Sequence, residues 1–352
     1  MHEERVLYEV KNLPVFQNRM YDSAVEARNC PRGDVRLVEN MNTGLVYNSA
    51  FQPELVKYDS NYQNEQAVSG HFSKHLEMVS EIILDSLGSQ NLVEVGCGKG
   101  AFLEMMQARG ADISGFDPTY EGGNPRIARR NFEPDLGISA NGLVLRHVLE
   151  HVQDPYSFLS SVCEANGGKG LIYIEVPCFD WICTHRAWFD IFYEHVNYFR
   201  LCDFSRLFGR VIECGRGFGD QYIYAVVDLA SLKNPEYDAS YQVEFPLDFQ
   251  KTLYSEEIIE PEKAVVWGGS SKGVIFTLLK ERIGQNIGHV VDINPAKQGK
   301  YIPATGLQVL SADGVDQYLV SDTIIYVMNS NYVDEIGAMT KNKYSLVTVD
   351  LR

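Results

Sequence analysis

From residue 73 the stretch SKHLEMVSEIILDSL places Leu76, Val79, Ile82, Ile83 and Leu87 at helical spacing, which predicts an amphipathic helix with one apolar face. The period then changes. NLVEV, DISGFD, GLVLRHV and GLIYIEV are short apolar runs of strand length, and the helical patterns AFLEMMQAR and DPYSFLSSVCEA fall between them. Strands alternating with helices predict a mostly parallel, doubly wound α/β sheet. RVIECGRGF and QYIYAVVDLA, separated by a short glycine-containing stretch, read instead as a hairpin that closes the sheet with an antiparallel pair.

On either side the pattern weakens. Residues 1–75 hold turn-rich pieces such as NCPRGD and NMNTG and many tyrosines, and read as an irregular N-terminal lobe. Residues 231–262 carry Pro235, Pro246 and Pro261 in an acidic stretch without strand alternation, and read as a linker. Then AVVWGGSSKGVIFTLLKERI gives strand, glycine loop and helix again, followed by GHVVDINP, DTIIYVMNS and SLVTVD as further strands. The predicted organisation is a lobe over 1–75, a doubly wound domain over 76–230, the linker, and a second, smaller α/β domain over 263–352, an arrangement suited to 352 residues.

Composition narrows the classes. Hydrophobic residues make up 45% and charged residues 22%, ordinary for a globular protein, and no apolar run is long enough to span a bilayer. The start, MHEERVLYEV, lacks the apolar core of a secretory signal, so a cytoplasmic location is expected. A net charge of −16 repels a phosphate backbone, and nucleic acid is not an expected partner. The seven cysteines are odd in number and lack paired CxxC spacing, so they read as reduced thiols and no metal site is expected. His147 and His151 stand four apart in RHVLEHV, but they straddle a strand end and the turn after it, so a metal-binding helix face is not expected there either.

The chemistry begins where strand NLVEV meets GCGKG, giving Glu94, then Gly96, Gly98 and Gly100. Glycines let the chain turn tightly and let a ligand approach the backbone and the next helix N-terminus. A dinucleotide loop would read GxGxxG; here the third glycine comes one residue early and an acid precedes the loop, which suits a ligand carrying an ammonium. Asp117 ends the next strand in SGFDPTY, where a carboxylate accepts hydrogen bonds from ribose hydroxyls. Together these residues resemble the S-adenosylmethionine site of class I methyltransferases. GLVLRHVLEHVQDP resembles that superfamily's fourth-strand signature, which implies Arg146 and His147 on the cofactor side.

After the strand GLIYIEV and Pro177, the segment FYEHVNYF crowds Tyr193, Glu194, His195, Asn197 and Tyr198 together. As a strand it would turn Tyr193, His195 and Asn197 to one face; as a helix it would cluster Glu194, Asn197 and Tyr198. IEVP followed by YEHVNYF, the loop GGSSKG and the run VDINPAKQGKYIP together resemble the sugar C-methyltransferases, which methylate nucleotide-linked keto-deoxysugars. That resemblance covers nearly the whole chain. It implies an enzyme that binds S-adenosylmethionine and a small, nucleotide-linked sugar, with His195 as the base that forms an enolate and Glu194 as its orienting partner. It implies Tyr193 or Tyr198 at the ketone or enolate oxygen, Asn197 on the substrate side, Lys272 of the second glycine loop toward an anion, and, through YDSNYQNEQ, Tyr62 bordering the substrate.

The chain departs from that family in three places. The first 90 residues hold only Cys30 where the family has a four-cysteine zinc knuckle; Phe192 and Tyr193 stand where it often has Tyr-His; and GFGDQY inserts Asp220 as a new carboxylate expected near substrate. These departures leave open O- or N-methylation of a natural-product or saccharide intermediate. A non-catalytic binding protein on the same scaffold is a third reading. The oligomeric state is not legible.

Overall fold

The computed structural model describes residues 3–56, 69–255, 258 and 260–350. Tyr62 lies outside the described residues. Three sheets follow one another along the chain. The first is built from β1 (Glu4–Pro14), β2 (Arg32–Asn40) and β3 (Val46–Asn48). The second contains β4 (Leu92–Val95), β5 (Ile113–Phe116), β6 (Ile127–Ala128), β7 (Gly142–Arg146) and β8 (Leu171–Pro177). Next in the chain comes β9 (Asn197–Tyr198), and the second sheet resumes with β10 (Val211–Gly217) and β11 (Tyr222–Asp228). The third has β12 (Ala264–Trp267), β13 (His289–Asp292), β14 (Val309–Ser311), β15 (Ile324–Val327) and β16 (Ser345–Thr348).

The central sheet runs β10-β11-β8-β7-β4-β5-β6. Its β4–β8 pairs are parallel, and the β11 hairpin strand pairs antiparallel to both β8 and β10. The order reverses at β4, so the crevice outside the carboxyl ends of β4 and β7 is where this topology places a ligand. The predicted helix spans Gly70–Leu87, capped by Ser69, whose hydroxyl accepts from the His71 and Phe72 amides, and stopped by Gly88 at φ 79°. It therefore starts ahead of the boundary expected at residue 76. Leu76, Val79 and Ile83 are buried against the sheet.

The N-terminal region is not irregular. β1, β2 and β3 form an antiparallel sheet whose fourth strand is β9, so Asn197–Tyr198, from the segment expected to meet substrate, pairs with Val46–Tyr47. Residues 231–255 are not a free linker either. The Val243 amide donates to Glu39 at 3.0 Å and the Gln250 amide group to the Tyr8 hydroxyl at 2.8 Å, strapping this acidic stretch onto the first sheet.

The C-terminal sheet is all parallel, in the order β14-β13-β12-β15-β16. One buried apolar cluster runs through all three regions, including Leu13, Trp188, Ile223 and Phe276, so the parts pack as one unit.

Candidate active site

A cavity of about 400 Å³ opens between the carboxyl ends of the central strands and the C-terminal glycine loop. Glu94, Gly96, Gly98, Arg146, His147, His195 and Lys272 all line it. Gly100 stands just behind, at the start of helix Ala101–Ala108.

The loop's conformation requires glycine at two positions in particular. Gly96 lies at φ 73° and a side chain there would meet Val148 Cγ2 at 2.4 Å; Gly100 lies at φ 85° and would meet Ile127 at 2.5 Å. Nothing stands within 4 Å of where a Gly98 side chain would be, so the backbone there is open to a ligand. Asp117 Oδ2 accepts the Gly98 amide at 2.8 Å while Oδ1 accepts the Thr119 amide and hydroxyl. Asp117 thus clamps the loop that it was expected to serve only as a ribose ligand.

Glu94 is buried, and its Oε2 has no hydrogen-bond partner among the described residues. Burial raises its pKa to about 8, against the pull of Arg146 and with a push from Asp117. An acceptor buried without a donor is costly, and a ligand ammonium or hydroxyl would satisfy it. With the open glycine backbone, this fits the amino-acid portion of S-adenosylmethionine.

Behind Glu94 lies a charged network centred on Glu175. The Arg146 guanidinium donates to Oε1 at 3.0 and 3.2 Å, His147 Nε2 lies 3.1 Å from the same oxygen, and His75 Nε2 and the Tyr173 hydroxyl each lie 3.1 Å from Oε2. Although burial works against its charge, Arg146 and the two histidines hold Glu175 well below the usual carboxylate range. His147 adopts φ 52°, a left-handed conformation that histidine visits more readily than most side chains. Its Nδ1 faces Glu150 Oε1 at 3.3 Å. Burial disfavours its charge, but Glu150 and Glu175 override it and raise the pKa to about 9. His147 is therefore an imidazolium at neutral pH. Arg146 also lies over the Phe102 ring at 4.4 Å.

The segment 192–199 is neither the strand nor the helix considered above. Tyr193 and Glu194 form a turn, followed by the two-residue β9. This delivers His195 to the cavity, with Phe192 beside it. Its ring packs on Phe192 at 4.0 Å and stands 5.0 Å from the His151 ring. Burial first, then His151, His147 and Lys272, hold its pKa well below the ordinary value. His195 is thus a neutral imidazole lining the cavity.

Its expected companions are elsewhere. The Glu194 carboxylate accepts the Gln17 amide at 2.8 Å, tying the turn to the N-terminal region instead of orienting His195. Tyr193 is buried, with its hydroxyl on the Gln52 backbone at 2.8 and 3.3 Å. The Tyr198 hydroxyl lies 3.1 Å from both the Phe192 amide and carbonyl. Asn197 donates to the Val152 carbonyl. These four shape the turn and do not line the cavity. Asp220 sits exposed in the β10–β11 turn, outside the cavity lining.

Lys272 does reach the cavity, but its ammonium is already held by Gln221 at 2.7 Å, by Asp190 at 3.0 Å and over the Trp181 ring at 4.8 Å. The second glycine loop repeats the first: Asp292 Oδ2 accepts the Gly269 amide at 2.8 Å and Oδ1 the Asn294 amide at 2.8 Å. Of the cysteines, Cys30, Cys97, Cys178 and Cys183 are buried, and Cys214 is exposed.

Two buried acids, Glu150 on the cavity wall and Glu175 behind it, escaped the sequence reading. Glu150 is buried between two histidines in RHVLEHV, and Glu175 interrupts the apolar strand LIYIEVP. A lone acid inside an apolar run was the available signal for the second.

Comparison with known proteins matches residues 54–211 to the model of a family described as "Methyltransferase domain". No curated protein matches the chain. Solved structures with some likeness include the magnesium protoporphyrin IX methyltransferase of Synechocystis with bound SAM (12% identity, 45% of this chain, 78% of that chain, TM-score 0.33). Another is the N-methyltransferase NodS of Bradyrhizobium japonicum with S-adenosyl-L-homocysteine (14%, 49% and 92%, TM-score 0.35). Both likenesses are confined to about half of this chain. The strand order and the cradle of Glu94, glycine loop and Asp117 give the class I methyltransferase fold with a site suited to S-adenosylmethionine, and the match of residues 54–211 to the methyltransferase-domain family, over less than half of the chain, agrees with it.

Proposed function

We propose that this enzyme methylates a carbon made acidic by a neighbouring ketone, in a small molecule of the nucleotide-linked keto-deoxysugar class. The observation that carries this reading is His195: a buried, neutral imidazole that lines the same cavity as the glycine loop, with no ring hydrogen bond among the described residues. Transfer to a hydroxyl or amine needs a base less than transfer to carbon does, because only carbon lacks a lone pair to attack with.

Bound in the Glu94 cradle, S-adenosylmethionine supplies an electrophilic methyl group on a sulfonium. Glu94 receives the ligand's ammonium, and Gly96 and Gly98 let it lie against the backbone. His195 takes the proton from the acceptor carbon, leaving the electron pair shared between carbon and oxygen as an enolate. Lys272 places a positive charge on the same cavity and favours the developing oxyanion. The resemblance of YEHVNYF, GGSSKG and VDINPAKQGKYIP to the sugar C-methyltransferases supports the sugar part of this reading.

The test is incubation with methyl-labelled (13C) S-adenosylmethionine and a panel of 4-keto-6-deoxy sugar nucleotides, read by carbon NMR. A labelled methyl bonded to carbon is expected; a methoxy or N-methyl product overturns the carbon-acid reading.

A further inference from the structure

Lys272 reaches the cavity from the first turn of helix Ser271–Arg282 in the C-terminal domain, yet the groups that hold its ammonium come from the central region. An ammonium has three N–H bonds. Gln221 Oε1 accepts one at 2.7 Å, and Asp190 Oδ2 stands 3.0 Å away to take a second. The third has no hydrogen-bond partner among the described residues; the Trp181 ring lies 4.8 Å from the nitrogen.

Which end of the Gln221 amide meets Lys272 is dictated by its neighbours. Asn329, just after β15, accepts the Asn331 backbone amide on Oδ1 at 3.0 Å. A backbone N–H can only donate, so that side-chain atom is the oxygen. The Asn329 Nδ2 then donates to Gln221 Oε1 at 2.8 Å, and Gln221 Nε2 donates back to Asn329 Oδ1 at 2.8 Å. This reciprocal pair turns the oxygen of Gln221, not its NH2, toward Lys272. Gln221 is itself buried, 3% exposed, and its backbone carbonyl accepts the Cys178 amide at 2.9 Å.

We propose that Gln221 is a positioning residue for the methyl transfer: its amide oxygen fixes the Lys272 ammonium so that the remaining N–H is left for the enolate oxygen of the acceptor. The inference rests on the carbon-acid reading above. It moves the working residue of the β10–β11 turn from Asp220, the carboxylate expected to meet substrate, to its neighbour.

A lysine carries its charge on a flexible four-carbon stem, and a donor stabilises developing charge best when it is already in place as the charge appears. Two acceptors from the central region remove that freedom. Their charges also matter. Asp190 sets one negative charge against the ammonium, and Gln221 adds none; a second carboxylate in its place would oppose an oxyanion. Docking of the two domains would be served by the Gln221–Asn329 pair alone. The second donor on Oε1, Lys272, is what ties that pair to the cavity.

The test uses the full-length enzyme, S-adenosylmethionine and the 4-keto-6-deoxy sugar nucleotide that gives most product in the panel above. Gln221→Leu is expected to lower kcat at least about tenfold, a part of the 10²–10³ that loss of an oxyanion donor costs, while KM and the Kd for S-adenosylmethionine stay within about threefold. Because Gln221 acts through Lys272, adding Gln221→Leu to Lys272→Met should cost less than about twofold beyond Lys272→Met alone; independent structural losses would multiply. Should Gln221→Leu fail to fold, as judged by circular dichroism, Gln221→Glu keeps the size and the acceptor and, through its charge, should lower kcat at least about tenfold. A folded variant with kcat within about twofold of wild type overturns the inference, and so does a double variant whose losses multiply. If it falls while His195→Asn still abolishes turnover, the carbon-acid reading stands alone; if wild-type enzyme methylates no keto sugar, that reading fails and the inference with it.

Discussion

The protonation of Glu94 gives a quantitative handle on cofactor binding. With its pKa raised to about 8 by burial, the cradle is largely protonated at pH 6 and must ionise to receive an ammonium. The sign follows from a raised acid: binding weakens as pH falls below 8. If only the ionised form binds, the apparent Kd carries a factor of 1 + 10^(8−pH), about 100 at pH 6 and about 2 at pH 8. S-adenosylmethionine should therefore bind about 50-fold more tightly at pH 8 than at pH 6, a difference of about 2.3 kcal/mol. Calorimetry across this window, which stops short of the His147 titration near 9, measures it. Glu94→Gln should bind weakly at both pH values with less than about threefold change. A pH-independent wild-type Kd, or a Gln variant with the same slope, refutes the assignment of Glu94 to the ammonium.

Other perturbations test the rest of the account. His147 carries a pKa raised to about 9, so its stabilisation is fully present below about 6.5 and is lost as pH rises through 9; His147→Asn, which tolerates the left-handed backbone, should flatten that part of the thermal-melting profile. Gly96→Ala forces a side chain onto Val148 at positive φ and should cost about 1–3 kcal/mol in denaturant unfolding, together with most of the cofactor affinity. Tyr193→Phe removes the hydroxyl bonded to Gln52 and should cost about 1 kcal/mol of stability while kcat stays within about twofold, because Tyr193 braces the turn and does not touch the cavity.

Much of the central sheet is legible in the sequence because its inner strands, such as β4, β7 and β8, are largely buried apolar runs and its helices are amphipathic, so the period switches are clean. The first sheet is harder to read. In β1 the pairing register shifts between Val6 and Tyr8 and again between Val10 and Leu13, and each irregularity breaks the two-residue alternation that marks a strand. The acid and glycine positions of the cofactor side are local in sequence, and strand topology alone brings them together. FYEHVNYF is different: its conformation is fixed by partners far upstream, Val46, Tyr47, Gln17 and Gln52, none of which its own residues announce. That is why composition pointed to five polar groups and the fold delivers one, His195, to the cavity.

The same distinction explains Glu150. In sequence it is one acid on a turn; only the packing of β9 beneath the Leu149–His151 turn reveals it as a buried carboxylate near His195. Lys272 likewise depends on tertiary contact, since Asp190 and Gln221 come from the central region and the lysine from the C-terminal glycine loop.

The central claim, that His195 creates a carbon nucleophile, is tested most directly by solvent hydrogen exchange. A 4-keto-6-deoxy sugar nucleotide incubated with the enzyme and S-adenosyl-L-homocysteine in deuterated water should lose the proton beside the ketone, seen by proton NMR, and His195→Asn should slow that loss at least about 100-fold. Exchange at the wild-type rate in the folded His195→Asn variant would contradict the account.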